Sequence, residues 1–326
     1  MQSIFKIFQE LQKQPTSITD SFRIAALPTV KNHKIGISTE GYPMFFIKCD
    51  DTEKSNYLDS NLEFIMVQFS RKCQLFTDKK GIEEGIYTNI ALKTDAPDLQ
   101  AYFLDIVFLI IKKLSPYPKL KEVRTEVEKL IELFSQFLKP PQKTIQGLWA
   151  ELLVIEQATQ PDYLIQAWHN SPTDKFDFND GIDKLEVKST AKSKRIHNFS
   201  AEQLNPNVHS DLIIASVFVV ETGVGKNVFD LMRLIKNKIK SNDIQARMND
   251  IVAKTLGNNL EKTDELFFDY QQAVDTLQFY SSENIPRIDI PNIPNALSNV
   301  RFDCDLTNVA PLNRAETTSL LHNSLF

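Results

Sequence analysis

The sequence predicts a mixed α/β protein in which a sheet is flanked by helices, preceded by an N-terminal β-rich region. Two observations predict this class. Between residues 22 and 93, short apolar or alternating runs are separated by turn signals such as Gly41-Tyr42-Pro43. After residue 141 the patterns follow the order helix, strand, hairpin, helix, strand, helix. That order is typical of a mixed sheet covered by helices.

The N-terminal region begins with an amphipathic helix from Ile4 to Gln12, whose apolar residues recur at helical spacing. Strands are expected after it, and they suggest a small, largely antiparallel β domain without a function that its residues reveal. The expected strands are Arg23 to Leu27, Lys34 to Thr39, Met44 to Lys48, Glu63 to Phe69 and Tyr87 to Leu92.

Two helices, about Asp98 to Lys113 and about Lys119 to Leu138, form a predicted connector. Ser115-Pro116-Tyr117-Pro118 separates them, because proline cannot continue a helix. Lys139-Pro140-Pro141 ends the second helix and marks the best candidate boundary. The predicted domains are therefore the β-rich region 1–96, the helical connector 97–140 and a third domain, 141–326, with a helical C-terminal extension.

The third domain contains a strand with a long, nearly continuous apolar run, Leu212 to Val220. Such a run suits a central strand covered on both faces. The other expected elements are a helix from Ile145 to Gln157, a strand from Tyr163 to Trp168, a hairpin, a short helix from Ser200, helices at Val228 to Lys240, Asp243 to Leu256 and Asp264 to Phe279, and an edge strand from Asn299 to Leu306.

The hairpin has alternating apolar and polar residues in KFDFND and again in KLEVKS. If Asp180-Gly181 is a two-residue loop, Asp177 lies opposite Lys184 and shares a face with Glu186 and Lys188. A four-residue loop keeps this parity, whereas a three-residue loop breaks it. Such a charged hairpin is also typical of a solvated sheet face. Two carboxylates held together, however, repel each other unless a cation such as Mg²⁺ lies between them.

Here the sequence resembles a known family. Asp177, followed nine residues later by Glu186-Val187-Lys188, is similar to the signature of the PD-(D/E)XK nuclease superfamily, the restriction-endonuclease-like proteins. The stretches GLWAELLVIE, DKFDF, LEVKST and HNFSAEQL resemble a bacterial branch known as PD-(D/E)XK motif proteins. Phe176 replaces the proline of the motif's name, at a position that bears no metal ligand.

The resemblance implies a restriction-endonuclease-like sheet and roles for four side chains. It implies that Asp177 and Glu186 bind Mg²⁺, for which Mn²⁺ can substitute, and that Lys188 assists the attacking water. It also implies that Glu151, on the preceding helix, is an auxiliary metal-binding acid. On the residues alone, Glu156 is an equal candidate, because this nearly all-apolar helix is expected to be buried and a buried carboxylate needs a partner or a metal.

A basic loop follows the motif. Lys192, Lys194 and Arg195 are candidates for contacts with substrate phosphates, or they form only a solvated loop. Gln203 recurs in the resembling family, which implies an approach to substrate or water. The spacing of Ser200 and Gln203 also fits a capping box at a helix start.

The sequence has no motif for nucleotide hydrolysis, serine-based catalysis or a histidine metal site. The nine glycines form no phosphate-binding loop, and no serine nucleophile elbow is present. The five histidines make no pair at ligand spacing, so His169 and His209 are expected to be ordinary loop residues. Three distant cysteines indicate a reducing cytoplasm. The longest apolar run, Tyr102 to Ile111, is too short to span a bilayer, so no membrane partner is expected.

The hypothesis that follows is a Mg²⁺-dependent DNA endonuclease of restriction or anti-phage defence. Its expected partners are DNA, a second copy of the chain and other subunits of a defence system. The alternative is a non-catalytic DNA-binding or scaffolding subunit of such a complex. The net charge of −5 favours this alternative, although a local basic strip can still bind DNA.

Overall fold

The computed structural model divides the chain into two compact units, Met1–Lys139 and Pro140–Phe326. The helices expected as a connector therefore lie within the first unit. No helix in the described part of the chain has both the length and the apolar character needed to cross a membrane. The structure describes residues 3–14, 21–50, 57–77, 81–169, 174–207, 209–312 and 319–326.

The first unit contains a six-stranded sheet that α1 and α2 contact. Its elements are α1 (Ile4–Gln12), β1 (Phe22–Ala26), β2 (Lys34–Ile37), β3 (Pro43–Lys48), β4 (Ser60–Asn61), β5 (Ile65–Thr77), β6 (Gly81–Leu92), α2 (Pro97–Ile111), α3 (Leu120–Ser135) and a 3-10 turn, Gln136–Leu138. The strand order is β1-β2-β3-β6-β5-β4, and β1 also pairs with β5 in parallel. The N-terminal helix and all five expected strands are confirmed.

The second unit contains the hairpin. Its helices are α4 (Ile145–Gln157), α5 (Pro161–Ala167), α6 (Val228–Lys238), α7 (Asn242–Leu256), α8 (Leu260–Glu265), α9 (Tyr270–Thr276) and α10 (Leu320–Asn323), with 3-10 turns at Gly257–Asn259, Ser282–Asn284 and Ile290–Asn292. Its strands are β7 (Phe178–Asn179), β8 (Lys184–Thr190), β9 (Ile196–Ser200), β10 (Leu212–Phe218), β11 (Glu221–Thr222), β12 (Phe267–Phe268), β13 (Gln278–Ser281) and β14 (Arg301–Asp305).

The main sheet of this unit has the order β13-β10-β8-β7. Strands β8 and β10 are parallel, whereas β13 and β7 run antiparallel to their neighbours, so the sheet is mixed. Strand β10 is central and almost wholly buried, as its apolar run predicts. Helix α4 contacts both α6 and β8. The chain is thus a mixed α/β protein with helices flanking the sheet.

Two predictions of local structure in the second unit are wrong at the start of the site. The segment predicted as a strand, Tyr163 to Trp168, is the helix α5 instead. Pro161 in its first turn is pre-organised for a helix, and the negative charge of Asp162 favours the helix N-terminus. The segment from Ser200 does not form a helix, because β9 ends at Ser200 and turns follow.

A third prediction is wrong in part. The single helix expected from Asp264 to Phe279 is broken into the end of α8, β12, α9 and β13. Strand β13 exists because it pairs with the edge of β10, from Ile213 with Ser281 to Ser216 with Gln278. This pairing is a long-range contact, which local helical spacing does not reveal.

Candidate active site

The hairpin loop is longer than the two-residue loop considered above, but the motif residues still share a face. Phe178 pairs with Leu185 and Asn179 with Lys184, so the loop has four residues, 180–183. The Oδ1 atom of Asp180 accepts backbone N–H groups of the loop at 2.9 and 2.8 Å. A four-residue loop keeps the parity of the strand positions, so the motif acids remain on one surface.

Asp177 is fixed at the start of this hairpin by backbone groups. Its Oδ2 atom accepts the N–H of Val187 at 2.8 Å, and its carbonyl oxygen accepts the N–H of His169 at 2.8 Å. Its Oδ1 atom pairs with the ammonium of Lys143. Asp177 is buried, so its carboxylate points into the unit and not into bulk solvent.

Glu186 and Lys188 form an ion pair on β8. The Nζ atom of Lys188 lies 2.7 Å from Oε1 of Glu186, and Nε2 of Gln203 donates to the same oxygen at 2.8 Å. Lys188 also lies over the ring of Phe199, 5.2 Å from its centroid. The lysine of the motif is therefore held beside the acid of the motif.

Glu151 joins Asp177, Glu186 and Lys188 from α4, and these residues with Lys143 are called the cluster below. Thr144 caps α4 by accepting the N–H of Gly147. The Oε1 atom of Glu151 lies 2.7 Å from Nζ of Lys143, and its Oε2 atom accepts the indole N–H of Trp168 at 2.7 Å. The rival acid, Glu156, is used elsewhere.

The contacts of Glu156 lie outside the motif cluster. Its Oε1 atom lies 2.8 Å from Nζ of Lys238, and its Oε2 atom accepts the hydroxyl of Tyr270 at 2.9 Å. Of the two candidate acids on α4, the structure thus brings Glu151 to the motif residues.

Both cluster glutamates hold protons more tightly than an ordinary carboxyl. Burial, and then the charge of Asp177, raises the pKa of Glu186 to about 7 although Lys188 opposes the change. The same two causes raise the pKa of Glu151 to about 8, against the opposing effects of Lys143 and Trp168. Only when all three carboxyls are ionised does the cluster carry one more negative charge than its two lysines, so a bound cation is expected to favour release of the protons from Glu151 and Glu186.

Lys143 is a cluster residue that the sequence analysis missed. Burial lowers its pKa, but the charges of Asp177 and Glu151 outweigh burial and raise the pKa above its ordinary value. One signal could have suggested it, because a buried Glu151 needs a partner and Lys143 is the nearest basic residue before it in the chain.

His169 is also in the cluster, although it was expected to be an ordinary loop residue. Its Nδ1 atom lies 3.8 Å from Oε2 of Glu151. Burial, and then the charge of Lys143, lowers the pKa of His169 to about 4, so its ring is neutral at pH 7. One ligand atom each from Glu151, His169 and Asp177 lie within 4.8 Å of one another. Two carboxylates and a neutral imidazole are a donor set that fits a divalent cation.

The basic loop divides into two kinds of residue. Lys192 and Lys194 are exposed. Arg195 is buried, and its Nη1 atom donates to the carbonyl and the hydroxyl oxygen of Ser216, both at 2.8 Å. It also donates to the carbonyl of Thr276. Arg195 therefore binds buried groups of the second unit, and it is not exposed for the expected contact with substrate phosphate.

The capping-box contacts expected of Ser200 and Gln203 are present, whereas the implied approach of Gln203 to substrate or water stays a prediction. The backbone N–H of Gln203 donates to Oγ of Ser200 and its Oε1 atom accepts the N–H of Ser200, both at 3.1 Å, which is capping-box geometry without a helix behind it. Its amide nitrogen meanwhile binds Glu186, and its Oε1 atom lies 3.5 Å from Nζ of Lys188. Gln203 therefore links the turn after β9 to the motif.

Comparison with known proteins identifies a family. Residues 4–307 match the model of a family described as "Putative PD-(D/E)XK family member, (DUF4420)". The match includes every residue of the cluster described above. No curated protein matches the chain, and no solved structure does.

Proposed function

The chain belongs to this PD-(D/E)XK family, and from that premise we propose that it is a metal-dependent endonuclease that hydrolyses the phosphodiester bonds of DNA. The observation that carries the proposal is the arrangement of the hairpin, in which the amide of Val187 holds the carboxylate of Asp177 at 2.8 Å and the neighbouring residues Glu186 and Lys188 form an ion pair. The superfamily generally consists of nucleases, which supports phosphodiester hydrolysis over other uses of paired acids.

Asp177 and Glu186, with Glu151 beside them, would hold a divalent ion such as Mg²⁺ or Mn²⁺. When bound, such an ion polarises the phosphodiester and stabilises the leaving oxygen. Lys188 orients the attacking water, because Glu186 and the ring of Phe199 hold its ammonium in place. Water adds to phosphorus as the bond to the leaving oxygen breaks, and the proton that the water loses passes to solvent or to the leaving oxygen.

DNA is the proposed substrate. Lys192 and Lys194 are exposed on the loop that follows the motif strand, so their charges are available to phosphates. Gln203, already bound to the motif acid, is placed to contact substrate or water. A role in restriction or anti-phage defence, a homodimer that cuts both strands and partner subunits are proposed on the likeness to restriction-type nucleases.

A direct test is incubation of the purified chain with supercoiled plasmid and Mg²⁺ or Mn²⁺, with EDTA as a control. Cleavage is expected with either ion and not with EDTA. Asp177→Ala and Lys188→Ala should abolish cleavage while the circular dichroism spectrum stays native, and Lys262→Ala, at an exposed lysine of α8, serves as a folded control. Full activity in the Asp177 or the Lys188 variant would refute the assigned roles.

The second candidate is a non-catalytic subunit, and one observation favours it. Lys143 and Lys188 already pair with the cluster acids, so the fold can satisfy Glu151, Asp177 and Glu186 without an ion. This candidate predicts that calorimetry detects DNA binding without any binding of Mg²⁺ or Mn²⁺. Metal binding with a stoichiometry near one per chain would reject it.

A further inference from the structure

A buried nitrogen faces the acid cluster without a partner. The Nδ1 atom of His169 is inaccessible to solvent, and it has no hydrogen-bond partner among the described residues. The imidazole side chain as a whole is only 7% exposed. Buried polar atoms are almost always satisfied, so an atom without a partner at this place points to a group that the described residues do not supply.

The backbone fixes this ring from two sides. The N–H of His169 donates to the carbonyl oxygen of Asp177 at 2.8 Å, which ties it to the motif acid. The carbonyl oxygen of the preceding residue, Trp168, accepts from Nη2 of Arg247 at 2.8 Å. The ring of Trp168 also stacks on Phe178, with centroids 6.2 Å apart. The imidazole is therefore held next to the cluster by its chain neighbours.

The spacing suits a shared ion. Nδ1 of His169 is 3.8 Å from Oε2 of Glu151, and the ligand atoms of these two residues and Asp177 all lie within 4.8 Å of one another. Atoms that bind one ion at about 2.1 Å lie about 3 to 4 Å apart, so only a small adjustment is required. Lys143 contacts Oε1 of Glu151, which is the carboxylate oxygen away from His169. The oxygen near His169, Oε2, is contacted by the indole N–H of Trp168 and not by Lys143.

We propose that His169 is a nitrogen ligand of the catalytic ion and that it makes the site prefer a first-row transition ion such as Mn²⁺ over Mg²⁺. Mg²⁺ is a hard ion that favours oxygen ligands, whereas an imidazole nitrogen favours the transition ions. Neither Asp177 nor Glu186 can supply this preference, because both offer only oxygen. The preference rests on the proposed metal-dependent function and specifies its ion.

The test uses the full chain and two readouts besides activity. Mn²⁺ is titrated into the protein and followed by electron paramagnetic resonance, and Mg²⁺ is then added as a competitor. Electron spin echo modulation at bound Mn²⁺ reports coordinated nitrogen. The variant His169→Phe keeps a ring of similar shape and removes the atom without a partner, so it is expected to fold. His209→Asn is the matched control, because His209 is exposed and its φ of 73° suits asparagine.

The wild-type protein should bind Mn²⁺ at least about 10-fold more tightly than Mg²⁺ and should give a ¹⁴N signal. In His169→Phe the ¹⁴N signal should vanish and the affinity for Mn²⁺ should fall by about 10-fold or more, with a smaller change for Mg²⁺. His209→Asn should behave as wild type.

Mn²⁺ bound to the wild-type protein without a ¹⁴N signal would overturn the assignment of His169, even if the variant does not fold, while DNA cleavage would leave the nuclease proposal intact. Equal affinities for Mn²⁺ and Mg²⁺ would overturn the stated preference. Absence of any bound ion would overturn both this inference and the metal-dependent function.

Discussion

The ammonium of Lys143 lies 2.7 Å from Oε1 of Glu151, and Lys143 is the residue just before the cap of the helix that carries this acid. The same ammonium pairs with Asp177. Lys143 thus places a positive charge between two acids that are proposed to hold a metal ion. A cation of the chain and a cation from solution cannot both occupy that place.

We expect Lys143→Met to make the stability of the protein dependent on metal. Without the ammonium, Glu151 and Asp177 repel each other in a buried site, so the free energy of unfolding in EDTA should fall by about 3 kcal/mol. Affinity for Mn²⁺ should rise by about 10-fold or more, because the ion no longer displaces a bound charge. Urea unfolding with and without Mn²⁺ measures the first effect, and calorimetry measures the second.

The control for this experiment is Lys139→Met, since Lys139 is exposed and its Nζ atom donates to the amide oxygen of Gln136 at 3.0 Å. It should change neither quantity. If Lys143→Met binds Mn²⁺ no more tightly than wild type does, Lys143 does not compete with the ion.

The stability of the metal-free protein should fall as pH rises from about 5 to about 8. In the folded chain the pKa is about 8 for Glu151 and about 7 for Glu186, against an ordinary value of 4.5. Because the folded pKa values are raised, the folded state holds protons that the unfolded state has released. The stabilisation is full below the ordinary value and is lost as pH rises through the folded values.

Urea unfolding in EDTA at about pH 5.5 and about pH 8.5 measures this slope. The double variant with Glu151→Gln and Glu186→Gln should flatten it, because an amide does not titrate. Glu156→Gln, on the same helix, is the control and should leave the decline in place, since the pKa of Glu156 is lowered and not raised. A decline that persists in the double variant would assign the pH dependence to other groups.

Much of this arrangement was predictable from local sequence patterns. Helix α4 was predicted at both ends from its apolar residues, and the structure shows that Thr144 caps its start. The shared face of Asp177, Glu186 and Lys188 was predictable because a four-residue loop conserves strand parity, whereas their roles were implied by the family resemblance and stay a proposal.

Lys143 and His169 were not predicted, because they join the site through contacts between distant parts of the chain. Lys143 and Asp177 are 34 residues apart, and the local sequence around Lys143 does not indicate that Asp177 is its partner. His169 follows a segment predicted as a strand that is in fact the helix α5, so its position could not be derived. Strand β13 depends in the same way on pairing with β10.

Substitution of Arg195 should affect stability, whereas substitution of the exposed lysines of its loop should affect DNA binding. We expect Arg195→Ala to lower the free energy of unfolding by about 3 kcal/mol, because it leaves the carbonyl groups of Ser216 and Thr276 without a charged donor. The double variant Lys192→Ala and Lys194→Ala should leave stability unchanged and weaken DNA binding. Its salt dependence, as the slope of log K against log salt, should decrease by about 1 to 2.

Fluorescence anisotropy with a short duplex in Ca²⁺, which avoids cleavage, measures the binding, and thermal unfolding measures the stability. Lys240→Ala, at an exposed lysine just after α6 and outside the loop, is the control for a lost surface charge. A stable Arg195→Ala variant with weakened DNA binding would indicate that Arg195 contacts DNA phosphates after all.

Trp168 should act on the metal site through a single hydrogen bond. Its indole N–H donates to Oε2 of Glu151 at 2.7 Å, while its ring stacks on Phe178. Trp168→Phe keeps an aromatic ring but removes the donor, so Glu151 loses the group that orients it. We expect a loss of about 10-fold in Mn²⁺ affinity, the scale typical of residues that orient a metal ligand, and a loss of about 2 kcal/mol in stability.

The matched control is Trp149→Phe, because the indole N–H of Trp149, on the same helix as Glu151, donates to the carbonyl of Lys226 at 2.9 Å. Both variants lose one buried hydrogen bond and some ring volume, so both should be destabilised, and only Trp168→Phe should lose affinity for Mn²⁺. Equal metal affinity in the two variants would mean that Trp168 only packs, and that Glu151 is oriented by Lys143 alone.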